Sequence, residues 1–565
     1  MKSKQLARIF LLGCFCCFWT TCIYGQGFEW AKQTEGLAPA EGLAIATGPE
    51  GNVFVTGYYI GSTTFESTTI SDGPIFVAKY RPDGTLVWVS SADGTSNDKG
   101  YAIAVDVLGN AYITGTFSAF GNSTTFGDTT LTGTDGENIF VAKINSAGTW
   151  QWAVQAGSPT GGLQNNNFGT GTSVDAAGNA YVCGSFKSTV DFGDTSLVSA
   201  GVSDMFVAKY DSAGAFQWAR RGGGLSGDQA DAITVDASGN SYVTGGFQGT
   251  VDFADTTFHS AGDDDLFIAK YTTAGELEWL HSVGGTTTDH GHGIGLGASG
   301  DIYISGALNS AFATFGDTTL NAAFKGSNIF LAKCNSAGDF LWARLAGDNF
   351  HGNVKSLSAD PSDNFFITGY YQGTAVFAGD TLSTSTFADR NIFVVNYNSA
   401  GEVQLAQNVV GIERTESHGV AVDLSGHAYL TGVFHDTVTF SNTTLATDIV
   451  PALFVTKLSH ITVGVQQGSI EMPKEFRLAQ NYPNPFNPTT TIQIELPKQS
   501  EITLNIYNIK GQLVRTLIDG KFNAGSHSVV WDGRDYLAKQ VPSGLYISRM
   551  QMAEFVDQKK MLLVK

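Results

Sequence analysis

The sequence predicts an all-β protein built mainly from repeats. Three observations support this prediction: apolar residues alternate with period two, Gly, Asn and Asp turns separate these stretches, and one unit recurs every 61–66 residues. No helical period competes with the alternation. Each copy of the unit is predicted to form four strands.

Two short stretches mark each of seven copies. One is a turn followed by a strand, of the form "GNAYITG", and it begins at residues 51, 109, 178, 239, 300, 363 and 426. The other is an apolar strand of the form "IFVAKY", and it begins at residues 75, 139, 205, 266, 329, 392 and 453.

The fourth strand of the unit predicts how the chain closes. Five copies carry a tryptophan nine residues after the marker lysine, and the sixth has Leu405 there; the tryptophans are Trp88, Trp152, Trp218, Trp279 and Trp342. The seventh copy lacks this strand, whereas the N-terminal segment Gly27–Gln33, "GFEWAKQ", matches it. Because closure into a ring removes open sheet edges, we expect a seven-bladed β-propeller over residues 26–462, closed by the N-terminal strand.

These repeats resemble a known family of β-propeller repeats, abbreviated SBBP. The shared pattern is "GN.Y.TG.F", a "D.FVAKY" strand and a "G...W" strand, and it covers the whole repeat region. The resemblance implies the propeller fold and says little about a ligand.

A different pattern begins near residue 478. The stretch from Asn481 to Lys498 holds four of the 13 prolines, and shorter alternating segments follow it. Prolines hold a chain extended and cannot continue a sheet, so this stretch reads first as a stiff connection. Residues 478–565 are predicted to form a small Ig-like β-sandwich, and residues 463–477 a linker.

Resemblance adds a function to this C-terminal region. It is similar to the type A C-terminal sorting domain of type IX secretion substrates, on the motif Asn481, Tyr482, Pro483, Asn484, Pro485, Phe486 and Asn487, followed by Gly511, Trp531, Gly533, Gly544, Tyr546 and Lys560. The resemblance implies recognition by outer-membrane secretion machinery and delivery to the cell surface or the medium.

The first 25 residues have the order of a secretory signal peptide. Lys2, Lys4 and Arg8 precede an apolar run from Ile9 to Phe18, and small and polar residues follow. We therefore expect an exported protein without a transmembrane segment. Acylation of Cys22, as in a lipoprotein, is an alternative that the residues before it do not favour.

Charge and cysteine content argue against two further classes of protein, nucleic-acid-binding proteins and disulfide-stabilised proteins. Residues 26–475 hold 18 Lys and Arg against 45 Asp and Glu, whereas residues 476–565 hold 11 against 7. An acidic body argues against nucleic acid as a partner. Only Cys183 and Cys334 remain after the signal peptide, and their positions in separate repeats predict buried thiols rather than a disulfide framework.

Four histidines are the candidate metal ligands. His290, His292, His351 and His418 lie where the chain enters the first strand of repeats five, six and seven, and Glu41, Asp98, Asp228, Asp231 and Glu416 occupy comparable positions. In a propeller these positions converge near the axial opening. The sequence predicts no cofactor; calcium or a transition metal at this opening is the alternative.

The leading hypothesis is a secreted or cell-surface binding or adhesion module with a glycan or protein ligand. The sequence carries no HExxH, GxSxG, P-loop or EF-hand motif, so no catalytic residue is assigned. A secreted hydrolase or lyase with its site at the axial opening is one alternative, and a structural surface-layer component is another.

Overall fold

A computed structural model describes residues 27–459 and 476–564, apart from short gaps at 72, 96, 119–122, 134–135, 159–165, 323–327, 348–350, 379, 385–388, 448–449, 482–483, 487, 489, 499, 523–524, 532, 537–538 and 553–554. The predicted signal peptide and most of the predicted linker lie outside the described residues. The chain divides into two units, Met1–Ile461 and Thr462–Lys565.

Both units consist of antiparallel β-strands, which confirms the all-β prediction. The helical content of the described residues is a single 3-10 turn, Pro49–Gly51. Within the described part of the chain no helix is long and apolar enough to cross a membrane.

The first unit contains 38 strands in its described residues: β1 Phe28–Glu35, β2 Ala40–Thr47, β3 Val53–Tyr59, β4 Thr63–Phe65, β5 Thr68–Ile70, β6 Ile75–Tyr80, β7 Leu86–Ala92, β8 Lys99–Val105, β9 Ala111–Ser118, β10 Ser123–Phe126, β11 Thr129–Thr132, β12 Glu137–Ile144, β13 Trp150–Gly157, β14 Phe168–Val174, β15 Ala180–Phe186, β16 Thr189–Phe192, β17 Thr195–Val198, β18 Asp204–Tyr210, β19 Phe216–Gly224, β20 Gln229–Val235, β21 Ser241–Phe253, β22 Thr256–Tyr271, β23 Leu277–Val283, β24 Asp289–Leu296, β25 Ile302–Leu308, β26 Phe312–Phe315, β27 Thr318–Asn321, β28 Asn328–Cys334, β29 Phe340–Ala346, β30 Gly352–Ala359, β31 Phe365–Tyr371, β32 Thr374–Phe377, β33 Asp380–Ser383, β34 Asn391–Tyr397, β35 Val403–Val422, β36 Ala428–Phe440, β37 Thr443–Ala446 and β38 Ala452–Leu458.

Most of these strands form a repeated four-stranded antiparallel arrangement. The successive groups are β2-β3-β6-β7, β8-β9-β12-β13, β14-β15-β18-β19, β20-β21-β22-β23, β24-β25-β28-β29, β30-β31-β34-β35 and β35-β36-β38-β1. The long strand β35 belongs to two groups. Its first half pairs with β34 and its second half with β36.

The hydrophobic cores lie between neighbouring groups. One core joins Ile139 and Val141 of the second group to Val182 and Phe206 of the third, all at most 1% exposed. The second and third strands of each group are buried on both faces for this reason, so they read as continuous apolar runs. Cys183 and Cys334 are both buried in these cores as free thiols, as predicted.

Tryptophan side chains tie each group to a turn of the next. The indole Nε1–H donates to a backbone carbonyl oxygen at 3.0–3.2 Å in six pairs: Trp30 to Pro82, Trp88 to Ser146, Trp152 to Ser212, Trp218 to Thr273, Trp279 to Ser336 and Trp342 to Ser399. A buried indole needs such an acceptor. Leu405 stands at the corresponding position of β35 and has no indole to donate.

The N-terminal strand belongs to the last group. β1 runs antiparallel to β38, with Trp30 opposite Lys457 and Ala31 opposite Thr456. The first strands of successive groups also contact one another, from β2 through β8, β14, β20, β24 and β30 to β35, and β35 contacts β2.

The described residues of the second unit form seven strands: β39 Arg477–Leu478, β40 Thr490–Leu496, β41 Ser500–Asn508, β42 Leu513–Phe522, β43 Gly525–Trp531, β44 Gly544–Gln551 and β45 Val556–Leu563. They form two antiparallel sheets, β39-β40-β43 and β42-β41-β44-β45. One apolar core draws on both sheets, with Trp531 and Leu504 fully buried in it.

Candidate functional site

Each first strand of the repeated groups carries a β-bulge at the same position. The pairing with the second strand skips one residue in every group, and the skipped residues are Leu43, Tyr101, Thr170, Asp231, His292, Lys355 and His418. We call these seven residues the bulge ring. Bulges re-aim side chains and are frequent beside functional sites.

Small residues lie on either side of the skipped residue in six of the seven groups. A Cβ atom added to Gly42, Gly100, Gly169 or Gly291 would lie 2.1–2.5 Å from a threonine Oγ1 of the preceding group. That threonine cannot move away, because its hydroxyl donates to a backbone carbonyl, as Thr114 does to Phe140 at 2.7 Å. In these four groups the residue before the bulge must therefore be small, while the bulge residue itself meets no such limit. The sixth group differs, with Val354 before its bulge residue Lys355.

The bulge ring lines one end of a channel that runs between the seven first strands. All seven strands contribute lining residues to a cavity of about 370 Å³. The cavity at its mouth has a volume of about 420 Å³ and is lined by the seven ring residues with Glu41, Arg414 and Glu416. Six of the seven ring residues are polar or carry a polar group, so the mouth presents mostly hydrogen-bonding side chains.

One side of the mouth is a network of ion pairs. Arg414 contacts Glu41 at 3.1 Å and Glu416 at 3.2 Å, and Arg390 pairs with the other oxygen of Glu416. Burial of Glu416 opposes its ionisation, but hydrogen bonds from His418, Arg414 and Arg390 outweigh burial and hold its pKa well below the usual range. Glu416 is therefore a carboxylate at neutral pH.

Tyrosine rings flank this network on both sides. Lys99 Nζ lies 4.4 Å from the centroid of the Tyr58 ring, and the Arg390 guanidinium lies 4.7 Å from the Tyr370 ring. Burial and the neighbouring carboxylate of Glu41 raise the pKa of Tyr58 to about 12. Tyr58 therefore remains a neutral hydroxyl, and these rings bring flat apolar faces to a charged surface.

The opposite side of the mouth holds two of the four predicted histidines. His290 Nε2 lies 3.0 Å and His292 Nδ1 lies 2.9 Å from the same oxygen, Oδ2 of Asp231. The two imidazole rings are stacked, with centroids 4.9 Å apart. Gln229 donates to the other oxygen, Oδ1, so both oxygens of the Asp231 carboxylate are used.

The side chains of Asp231, His290 and His292 differ in how their pKa values are shifted. Burial would raise the pKa of Asp231, but the charge and hydrogen bonds of His290 and His292 outweigh it and hold that pKa well below the usual range. Burial would lower the pKa of His290, but Asp231 and Asp264 raise it, whereas burial and the neighbouring cations His290 and Lys355 lower the pKa of His292. At neutral pH His292 is neutral, its Nδ1–H donates to Asp231, and Nε2 has no protein partner among the described residues.

The other two predicted histidines lie apart from this cluster. His418 belongs to the bulge ring, where Nδ1–H donates to the carbonyl oxygen of Gly42 at 3.0 Å and Nε2 lies 3.4 Å from Glu416. His351 is exposed just before β30 and lines neither channel cavity. The structure therefore brings His290 and His292 together, adds His418 to the same mouth, and leaves His351 outside it.

Of the predicted carboxylates, Asp98 and Asp228 are structural. Asp98 Oδ1 accepts from the backbone of Ser118 at 2.8 Å, and Asp228 Oδ1 accepts from the backbone of Gln248 at 2.9 Å. Both are at most 1% exposed. They fasten the loop before the first strand to the end of the second strand, and they line neither channel cavity.

Sequence reasoning missed Leu43, Tyr101, Thr170 and Lys355. The signal for the first three is a small–X–small triplet, such as Gly100-Tyr101-Ala102, which recurs in six of the seven first strands; Lys355 lies in Val354-Lys355-Ser356 and lacks it. The flanking residues repeat, whereas the central residue differs from copy to copy. A position whose residue differs from copy to copy, while its neighbours repeat, is not required by the repeated fold and is a candidate ligand-binding position.

In the second unit, the sorting-motif residues fasten the start of the domain to its last strand. Phe486 is 1% exposed, and its backbone bonds to Leu562 and Val564 at 3.0 and 2.9 Å. Asn484 Oδ1 accepts from the Leu562 backbone at 2.8 Å, and Asn481 donates to Thr490 at 2.9 Å. Pro485 is exposed, and Tyr482, Pro483 and Asn487 lie outside the described residues.

Comparison with known proteins gives a family match within the second unit. Residues 482–554 match the FlgD Ig-like domain family. The match agrees with the predicted Ig-like sandwich and covers less than a fifth of the chain.

Curated relatives are distant and longer. An uncharacterised WD repeat-containing protein of Acanthamoeba polyphaga mimivirus is 23% identical over 482 residues, which cover 73% of this chain and 31% of that protein. The regulatory protein FlaEY of Caulobacter vibrioides is 28% identical over 183 residues, 30% of this chain and 19% of that protein. The chain thus spans less than a third of the length of either relative.

Among solved structures, PorZ of Porphyromonas gingivalis, described as a surface component of the type IX secretion system, is 10% identical, with 93% of this chain and 81% of that chain covered. The TM-score is 0.18, which is too low to support an argument about fold or function.

Proposed function

We propose that residues 26–462 form a seven-bladed β-propeller that acts as a binding module at the cell surface. Its ligand site is the channel mouth lined by the bulge ring, and residues 478–565 direct its export. The ligand class is a polar oligosaccharide or glycan chain that inserts its end into the mouth.

Several contacts support the closed propeller. Seven four-stranded groups follow one another, the last is completed by β1 on β38, and β35 contacts β2. Trp30 of the first strand bonds to Pro82 as the other tryptophans bond to the turn of the next group. Closure in this way leaves no first or last edge exposed.

The observation that carries the binding proposal is the bulge ring. The scaffold repeats seven times, yet the ring holds six different residue types that all line one mouth. Scaffold positions repeat because each sheet needs them, whereas a ligand needs a particular set of groups only once.

The chemistry of the mouth suits sugars. Tyr101 packs edge-on against Phe168, with ring centroids 6.2 Å apart, and both rings are half-buried beside polar ring residues. Lys355 forms no ion pair among the described residues, and its Nζ lies 5.9 Å from the centroid of the Tyr370 ring. Apolar faces with a few polar groups and one available cation fit a saccharide, above all one that carries a carboxylate.

The test is binding of defined oligosaccharides to the mature, untagged chain. Neutral and uronic-acid oligosaccharides would be screened on an array, and hits measured by calorimetry. We expect Tyr101→Ala and Lys355→Ala each to weaken binding about tenfold or more, as anchor residues do. Arg81→Ala is the control, because Arg81 follows β6 at the end of the first group away from the mouth. Unchanged affinity in both ring variants would exclude this site.

A second candidate is a secreted hydrolase or lyase at the same mouth. It is favoured by the pair Asp231–His292, because the carboxylate fixes a tautomer in which Nε2 is the acceptor that a general base requires. Turnover of uronic-acid oligosaccharides, measured by reducing ends and by absorbance of unsaturated products, would decide. An enzyme would lose at least about a hundredfold in rate in His292→Gln, whereas a binding module shows no turnover in the wild type.

The export proposal rests on the C-terminal motif and the Ig-like match. Deletion of residues 478–565 should leave the first unit in the periplasm of the native host, detected by fractionation and immunoblotting. A matched control deletes residues 463–475 only, which spares the whole proposed sorting domain. Surface delivery of the chain without residues 478–565 would refute the sorting role.

A further inference from the structure

We propose that Asp231, His290 and His292 bind one divalent transition-metal ion at the channel mouth, with Zn²⁺ as the fitting test ion. The site stands on its own geometry and does not depend on which ligand the mouth binds.

The first argument is the convergence of ligand atoms. One nitrogen of each imidazole and one carboxylate oxygen lie within 4.8 Å of one another. In a tetrahedral zinc site with bonds of about 2.0–2.1 Å, neighbouring ligand atoms are about 3.3 Å apart. The Asp231 contacts of 2.9 and 3.0 Å therefore need to open by about 0.3–0.4 Å, and the two imidazole nitrogens, which lie within 4.8 Å of each other, need to reach the same separation of about 3.3 Å.

The second argument is the chemistry of the donors. Two imidazoles and a carboxylate are the donor set that zinc and related ions prefer, and they leave a coordination position for water or a ligand. His292 belongs to the bulge ring and lines the mouth, so this position faces the channel. The set also differs from an all-oxygen calcium site, which disfavours calcium.

The third argument is the support behind the ligands. Gln229 donates to Asp231 Oδ1 and leaves Oδ2 to the histidines, which is how outer partners orient a metal-binding carboxylate. His290 is held against the backbone of Gly246, where an added Cβ would lie 2.2 Å from its Nδ1. Asp264 adds negative charge near His290. The three ligands are thus positioned by the strands β20 and β24 before any ion arrives.

The other charged cluster of the mouth does not offer the same chemistry. Around Glu41 and Glu416, the positive charge is already supplied by Arg390 and Arg414 at contact distance. An ion there would have to compete with two guanidinium groups. The Asp231 cluster has no Arg or Lys within ion-pair distance among the described residues. Its basic groups are two histidines, and a metal ion binds a histidine by displacing a proton from the imidazole.

The experiment uses the mature chain without a histidine tag, stripped by a chelator and dialysed against micromolar Zn²⁺. We expect one zinc per chain by mass spectrometry of the metal, and a visible absorption band of low-coordinate Co²⁺ when cobalt replaces zinc. Because even an outer partner is worth about 10- to 100-fold in metal affinity, Asp231→Asn and His290→Gln should each weaken binding at least about 100-fold.

His418→Gln and His351→Gln are the matched controls, since they remove histidines of the same unit that lie outside the cluster. Far-UV circular dichroism and melting temperature show that each variant is folded. The proposal is overturned if the folded wild type takes up no Zn²⁺ or Co²⁺, or if Asp231→Asn and His290→Gln retain the wild-type stoichiometry and affinity. Loss of zinc in the two control variants together with retention in the cluster variants would place the ion elsewhere and overturn it equally.

Discussion

The indole Nε1–H of Trp30 donates a 3.0 Å hydrogen bond to the carbonyl oxygen of Pro82, so the first strand of the chain is fastened to a turn 52 residues later. Trp88 makes the same bond to Ser146 inside the continuous part of the repeat. The contact between the last and first groups, where the proposed ring closes, is thus the same as the contact between two groups that follow each other in the sequence.

This equivalence predicts equal energetic effects. Trp30→Phe and Trp88→Phe each remove one indole donor, and each should lower the free energy of unfolding by about 1 kcal/mol. Urea unfolding followed by far-UV circular dichroism measures both. A loss in Trp88→Phe with none in Trp30→Phe would mean that the first strand is not part of the cooperative structure.

Two glycines with the same backbone conformation allow the energetic cost of side-chain crowding to be measured separately from the cost of backbone strain. Gly275 and Gly300 have φ of +80° and +81°, but a Cβ on Gly275 would lie 2.6 Å from the Trp218 ring, whereas a Cβ on Gly300 meets nothing within 4 Å. Gly300→Ala bears only the cost of the left-handed conformation. Gly275→Ala also displaces the indole, and should cost about 1–3 kcal/mol more in urea unfolding. Equal losses in the two variants would contradict the packing of Trp218 on the turn.

The ion-pair network at the mouth should support stability at neutral pH. Glu416→Gln leaves Arg390 and Arg414 facing each other without their carboxylate, and since both arginines are partly exposed we expect a loss of about 1–3 kcal/mol, below that of a fully buried pair. Because the folded pKa of Glu416 is depressed, its contribution is fully present above its unfolded pKa near 4, begins to decline as pH falls below that value, and is lost completely only below the folded pKa.

Unfolding in urea at pH 7 and pH 3.5 tests both parts of this prediction. The difference between wild type and Glu416→Gln should shrink at the lower pH. Glu276→Gln is the control, since the exposed Glu276 pairs with the partly exposed Arg220 at 3.1 Å and its loss should change stability by at most about 0.5 kcal/mol. A control effect as large as that of Glu416→Gln would contradict the network.

Asp228 should make stability fall as pH rises from about 4 to about 6. Burial, with Asp204 and Asp264 nearby, raises its pKa to about 6, against backbone hydrogen bonds from Gln248 and Gly224 that lower it. Between the unfolded value near 4 and the folded value the native state binds more protons, so stability decreases with pH, by at most about 1.4 kcal/mol per unit.

Asp228→Asn removes this titration, and the third repeat already carries an amide, Asn167, in the same role. The variant should flatten the wild-type slope of unfolding free energy between pH 4 and 6, measured in urea at several pH values. An unchanged slope would show that other carboxylates, such as Asp204 or Asp265, produce it.

Phe486 should stabilise the second unit alone. Its ring packs 5.5 Å from Trp531 and is 1% exposed, so Phe486→Ala should cost about 3–5 kcal/mol. Hydrogen exchange by mass spectrometry on the full chain should show faster exchange in β40–β45 and no change in the first unit. Tyr536→Ala, at a side chain 76% exposed, is the control. Slow exchange in Phe486→Ala would place Phe486 outside the core.

The strand order was predictable because the sequence repeats its own packing. Trp88 and Lys79 recur at fixed spacing since each pair meets across the same two strands, Lys79 opposite Trp88. Trp30 could be assigned to the last group by the same rule. A residue recurs at a fixed spacing in the sequence when every repeat needs the contact that the residue makes.

The mouth was predictable only in part. His290, His292 and His418 stand out because histidine is rare, with 10 in the chain, but Tyr101 and Lys355 are ordinary residues that become neighbours through the bulge. Asp98 and Asp228 were indistinguishable from ligand carboxylates in the sequence, since a loop carboxylate that accepts backbone hydrogens has the same residue type. Which of the two roles applies depends on burial, and alternation alone does not report it.

In four groups a threonine faces the glycine before the bulge, and this contact affects how the sequence of the mouth can change. Backbone shape at the mouth is set by partners that do not touch the bulge side chain, as with Gly100 held close to Thr56. Tyr101 or Thr170, each preceded by such a glycine, could therefore be exchanged for another residue at little cost to folding. The channel mouth carries seven bulge positions on a repeated backbone, and single substitutions at these positions can change which ligand binds there.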